Sequence, residues 1–148
     1  MNSFVKSTLF SLFVNVIIIT TSLAQPYGQL FTIQEADEKF GPVLQSIDIS
    51  RSTFESFLTQ TSNYIMFKVK DKNAIVLDNK RNVIYPEGVL IKSNDTFTMY
   101  SISVVNELLS KGNEKTVYIE QRSNVLSIST GGFTMEVGVW CPPFCSND

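Results

Sequence analysis

The stretch Thr96–Gln121, "TFTMYSISVVNELLSKGNEKTVYIEQ", decides how this chain folds. Its first six residues read as a strand. The next segment changes period: Val104, Val105, Leu108 and Leu109 fall on one helical face. Ser101 or Ser103 stands at the capping position, and Gly112 ends the helix. Lys115–Gln121 then returns to strand spacing. An apolar helical stripe between two strands needs a sheet to cover it.

Working outward, "VLSIS" and "GFTMEVGV" continue as strands, with turns at Arg122-Ser123-Asn124 and Gly131-Gly132. The last run alternates Phe133, Met135, Val137 and Val139 against Thr134, Glu136 and Gly138. The same order is legible upstream. "VLQSIDI" (43–49) reads as a strand. "SRSTFESFLTQTS" (50–62) reads as a helix capped by Ser50 or Ser52, with Phe54, Phe57 and Leu58 inward. "YIMFKV", "AIVLD" and "VIYP" follow as strands, and "GVLIK" as a continuation of the sheet. A shift of 51 residues lays Ser50 on Ser101, Phe54 on Val105, Leu58 on Leu109 and Asn73 on Asn124. Pseudo-repeats over 43–92 and 95–140 are therefore expected. The expected fold class is α+β: one antiparallel sheet with both helices on one face. A short N-terminal helix precedes it, with Thr32 and Glu35 at capping-box spacing and Gly41-Pro42 as its stop.

The doubled strand–helix–strand–strand–strand order resembles one half of the DNA sliding-clamp architecture, in which βαβββ units are paired. The resemblance covers about residues 43–140 and is one of topology only; no clamp motif is present. It implies a fold and no function. Clamp helices that face DNA are basic, whereas here Arg51 and Lys111 are the lone basic residues of the two helices.

The N-terminus reads as a secretory leader over residues 1–24. Lys6 is its single charge, Leu9–Ile19 its apolar run, and the expected cut falls between Ala24 and Gln25. A single domain, 25–148, remains. Without Lys6 it holds 11 basic and 14 acidic residues, a charge of −3. With no basic cluster, nucleic acid is not an expected partner. With no second long apolar run, stable membrane insertion after cleavage is not expected either. The expected location is secreted or periplasmic. The chain has no histidine, which excludes Ser-His-Asp and Cys-His catalysis and imidazole metal sites.

The two cysteines, Cys141 and Cys145, flank Pro142-Pro143-Phe144 near the C-terminus. Three intervening residues and no following helix set the pair apart from an activated dithiol. Export favours a disulfide that staples the tail 141–148 and packs Phe144, and Trp140 with it, on the body. An extended run would hold the Cα atoms about 12 Å apart, so closure requires a turn or a cis Pro142–Pro143 bond. Copper(I) binding or redox exchange through Cys141 and Cys145 is the alternative. Glu35, Asp37 and Glu38 read as a solvated helix face. Asn94-Asp95-Thr96 matches a glycosylation acceptor in a turn. Phe54, Phe57, Phe67, Phe97 and Phe133 read as core. Tyr64, Tyr85, Tyr118 and Trp140 read either as a candidate contact surface or, the favoured reading, as a shield over an outer sheet face made polar by Glu120, Ser127, Thr134 and Glu136. The expected function is an exported, non-enzymatic binding or structural domain with a protein or small ligand as partner, and no cofactor.

Overall fold

The computed structural model describes residues 26–145. The proposed leader and its cleavage point lie outside them. The fold is α+β with two antiparallel five-stranded sheets. A lead-in strand, β1 (Gln29–Thr32), runs into α1 (Ile33–Phe40). Then come β2 (Gln45–Ser50), α2 (Arg51–Leu58), β3 (Tyr64–Lys70), β4 (Asn73–Leu77) and β5 (Val83–Tyr85). Next are β6 (Phe97–Ser101), α3 (Ile102–Lys111), β7 (Thr116–Gln121), β8 (Leu126–Thr130), β9 (Phe133–Glu136) and β10 (Val139–Cys141).

The single sheet expected from the sequence is replaced by two, ordered β1-β9-β8-β7-β2 and β10-β6-β3-β4-β5. Each draws strands from both halves of the chain. The strand before each helix pairs with the other half's hairpins: β2 lies on β7, and β6 on β3. A helix of eight to ten residues carries the chain from one sheet to the other, so its two flanking strands never become neighbours.

The sheets face each other over a main core. It holds Phe54 and Phe57 of α2 and Val104, Val105, Leu108 and Leu109 of α3. Ile65, Phe67, Val76 and Tyr100 come from one sheet, and Val117, Ile119, Ile128 and Met135 from the other. Burying each large apolar side chain contributes roughly 1.5–3 kcal/mol. Phe54 and Phe67 stack with centroids 5.8 Å apart.

Helix boundaries follow their caps. Thr32 and Glu35 form the reciprocal capping box, and the Thr32 backbone N–H donates to the Glu35 carboxylate at 2.8 Å. That bond, with the Thr32 hydroxyl, holds the Glu35 carboxyl below its ordinary range. The Thr53 backbone N–H donates to the Ser50 hydroxyl at 3.2 Å and caps α2. Ser101 precedes α3 but makes no side-chain cap. Its hydroxyl instead accepts from the Tyr27 backbone N–H at 2.8 Å, pinning the lead-in segment.

One element is added and two sequence expectations are corrected. The lead-in before Thr32 is a strand, paired with β9. Residues 88–92 form no strand, and Leu90 is 95% exposed. The last run is two strands rather than one. It breaks at Val137, whose φ of 61° is left-handed, and Gly138 then passes close to β6, where a Cβ would lie 2.4 Å from the Thr98 methyl. The chain thus leaves one sheet after Glu136 and joins the other at Val139. The two helices expected to share a face, α2 and α3, do share one. α2 and α3 feed the main core, while α1 lies on the opposite side of the β1-β9-β8-β7-β2 sheet, where Ala36 is buried and Asp37 reaches Arg122.

Candidate functional site

Beneath α1 the outer sheet face is polar, as its sequence implies, but it is buried rather than solvated. Arg122, read as a turn residue, continues the outward parity of β7 and is fully buried. Its Nε donates to Glu136 Oε1 at 3.1 Å and to the Ser127 hydroxyl at 3.2 Å. Its Nη1 donates to Asp37 Oδ1 at 2.6 Å and to the Gly41 carbonyl at the end of α1. Thr134 donates to the same Glu136 oxygen at 3.2 Å. Burial pushes the Glu136 carboxyl above the ordinary carboxylate range, while Ser127 and Arg122 pull it down. Asp37, read as part of a solvated acidic face, is therefore the outer anchor of this cluster. Glu35 caps the helix, and Glu38 accepts from the Gln34 amide at 3.1 Å. This arrangement fixes a helix to a sheet.

The opposite sheet also has a second covered face. Met66, Ile75, Leu77, Phe97, Met99 and Cys141 pack there under Tyr27, Val89, Ile91 and Cys145. Phe97, read as core, is buried as expected, in this second cluster. The C-terminal hook closes it. Cys141 and Cys145 form a disulfide with Cα atoms 4.6 Å apart, and the Cys141–Pro142 and Pro142–Pro143 bonds are both cis. The Phe144 backbone N–H donates to the Trp140 carbonyl at 3.1 Å. Arg81 locks the hook from the side. It donates to the Cys141 carbonyl at 3.1 Å and the Asp95 carbonyl at 2.9 Å, and lies over the Phe97 ring at 5.4 Å. Phe144 does not pack on the body as expected: it is 65% exposed, and Trp140 is 59% exposed. The sulfurs, not the aromatics, fill the space beneath.

Trp140 stands at one end of a row of directly paired residues that crosses the sheet through Thr98, Phe67 and Val76 to Tyr85. Between this row and the β7–β8 turn lies an open groove of about 390 Å³. Phe67 and Leu126 form its floor, and Trp140, Thr96, Thr98, Ser123 and Asn124 its walls. Its one cation, Lys68, is matched by Asp95 at 2.7 Å. Lys68 and the Lys92 backbone N–H hold the Asp95 carboxyl down to about 2. A larger cleft, about 780 Å³, lies between the start of α2 and the end of α3. There Arg51 is already committed to the Gly112 and Leu109 carbonyls at 2.6 and 2.7 Å.

The four aromatic residues read as one contact surface are not brought together. Tyr64 stacks on Tyr27 at 5.3 Å over the second cluster. Tyr85 leans on Phe57 at 5.4 Å, at the far edge of the Trp140 row. Tyr118 borders a depression on the other sheet, with Ser46 and Glu120. Only Trp140 lines the groove beside the hook. Sequence parity missed this because it treats each sheet as one-sided; the polar Ser123-Asn124 pair of the β7–β8 turn was the available signal. Asn94 is exposed in a turn. As disulfide sulfurs, Cys141 and Cys145 present no thiolate. Among the described residues no group of three or more Cys, Asp or Glu side chains is placed to hold a metal ion. Nor is any helix among them long and apolar enough to cross a membrane. No family model matches the chain, and neither a curated protein nor a solved structure matches it.

Proposed function

We propose that this chain is an exported, non-enzymatic binding domain whose contact site is the groove beside Trp140. One observation carries the reading. A large aromatic ring is left 59% exposed on a strand that is pinned by β6 on one side and by a disulfide hook just beyond it. Exposing such a ring on rigid backbone lowers the ordering cost of binding. Trp is among the side chains that most often dominate contact energy. Export is supported by the leader-like N-terminus and by the disulfide.

The test places a photo-crosslinking amino acid at Ser123, exposed on the groove with Trp140 left intact, and, as a control, at the exposed Leu44, in cells secreting the chain. A specific adduct from position 123 alone supports the reading. No adduct at 123, or equal labelling at both positions, overturns it. Mass measurement of secreted protein beginning at Gln25 tests the export step separately.

A second reading, thiol exchange, has one observation behind it. Arg81 Nη1 lies 3.4 Å from Cys141 Sγ. An external thiolate attacking the Cys145 sulfur would form a mixed disulfide with it, break the Cys141–Cys145 bond and release Cys141 as a thiolate beside that cation. The Arg81→Ala variant separates the readings. A reduction potential unchanged by it leaves the hook as a staple, and a more negative potential favours exchange.

A further inference from the structure

We propose that the Trp140 groove binds a neutral, hydroxyl-rich ligand of the carbohydrate class. The inference rests on the binding-site reading above and names its ligand.

Three features of the lining point the same way. First, Trp140 lines the open groove and is 59% exposed, so its indole is available to a ligand. The negative face of an aromatic ring attracts the polarised C–H bonds of a sugar ring, while its width removes apolar area from water. Second, apart from the paired Lys68, the polar groups of the lining are uncharged. Thr96, Thr98 and Ser123 bring hydroxyls, and Asn124 an amide, all of which both donate and accept. A ligand whose hydroxyls also do both satisfies such a wall without stranding a charge. Third, the charge at the groove is already balanced. Lys68 is paired with Asp95, and the Arg81 guanidinium nearby is spent on backbone carbonyls. An anionic ligand would have to displace a carboxylate. The volume, about 390 Å³, is that of a small-molecule site.

An extended peptide fits less well. It would have to add a strand to the free edge of β10, which is three residues long. Pro142 and Pro143, which lack donors, follow at once, so the ladder would end after one or two bonds.

Trp140 is the only tryptophan in the chain, so its fluorescence reports on this wall alone. The test titrates the secreted, oxidised chain with uncharged oligosaccharides: the hexamers of the malto-, cello-, chito-, xylo- and manno- series. The expected result is a saturable blue shift with at least one series, at a Kd between about 1 μM and 1 mM. Replacing Ser123 and Asn124 together by Ala, with Trp140 intact, should weaken it at least tenfold. The proposal falls if no series gives a saturable shift. It also falls if only polyanionic glycans do, or if the double variant binds as well as the parent. Far-ultraviolet dichroism of the double variant guards against misfolding. Crosslinking at position 123, with Trp140 intact, keeps the two claims apart. A specific protein adduct with no glycan response removes the carbohydrate and keeps the binding site. Failure of both removes both.

Discussion

Arg122 Nε lies 3.1 Å from Glu136 Oε1, and neither side chain reaches solvent. The two belong to different hairpins, and their contact lies under α1. Glu136 Oε2 and Arg122 Nη2 have no protein partner among the described residues, so the cluster is tightly held yet short of full satisfaction. Desolvation of a pair like this is costly, and what keeps it is the mutual compensation of its charges.

Replacing Arg122 by Met should therefore destabilise the fold by about 3–5 kcal/mol near neutral pH, because Glu136 is left buried and unpaired. The loss should shrink in acid. Burial already raises the Glu136 pKa, and removing the cation raises it further. A carboxyl with a raised folded-state pKa binds protons in the native state, so stability rises as pH falls toward the unfolded value. Urea midpoints of parent and variant at about pH 8 and about pH 5 check this. A gap that does not narrow removes Glu136 as the cause.

The Lys68–Asp95 pair has the opposite sign. Asp95 titrates near 2 when folded, against 3.8 ordinarily. Its contribution is present above the unfolded value and disappears as pH falls through about 2. The Asp95→Asn variant should be less stable than the parent at pH 6, and the two should converge between about pH 4 and pH 2. Denaturant titrations across that range are the measurement.

Val137 is a β-branched residue held at φ 61°, and its side chain is half in solvent. Left-handed backbone costs such a residue on the order of 1–2 kcal/mol, whereas Asn tolerates it. Val137→Asn should raise stability by about 1 kcal/mol, read as a higher thermal midpoint. A lower midpoint would mean that Val137 packs better than its exposure implies.

The hook closes a very small loop, so its entropic effect is only about 2 kcal/mol in the chain-entropy picture. The Cys141→Ser, Cys145→Ser double variant should stay folded. Amide exchange of Trp140 and Cys141 should accelerate far more than that of β3 or β7. Uniform acceleration would show that the hook supports the whole fold.

The helices and most strands were legible because each carries a local signal. Thr32 with Glu35, Ser50, and the Val104–Leu109 stripe are satisfied within one turn of chain. The division into two sheets was not legible, because pairing of β2 with β7 depends on residues about 70 apart in sequence. The polar parity of Ser127, Thr134 and Glu136 read as solvent-facing for the same reason: nothing local announces that α1 and a buried Arg122 cover it. The exposed Phe144 was missed because its neighbours' sulfur atoms, not its ring, fill the gap beneath. The groove required knowing that the β7–β8 turn and Trp140 meet.

Because each sheet interleaves strands from both halves, a cut in the exposed segment around Leu90 would not yield two independent pieces. Residues up to the cut would carry β2 without β7, and those after it β6 without β3. Each fragment would hold the missing edge of the other, so the nicked chain should behave as a self-assembling heterodimer, and its halves, expressed apart, as a reconstitution pair.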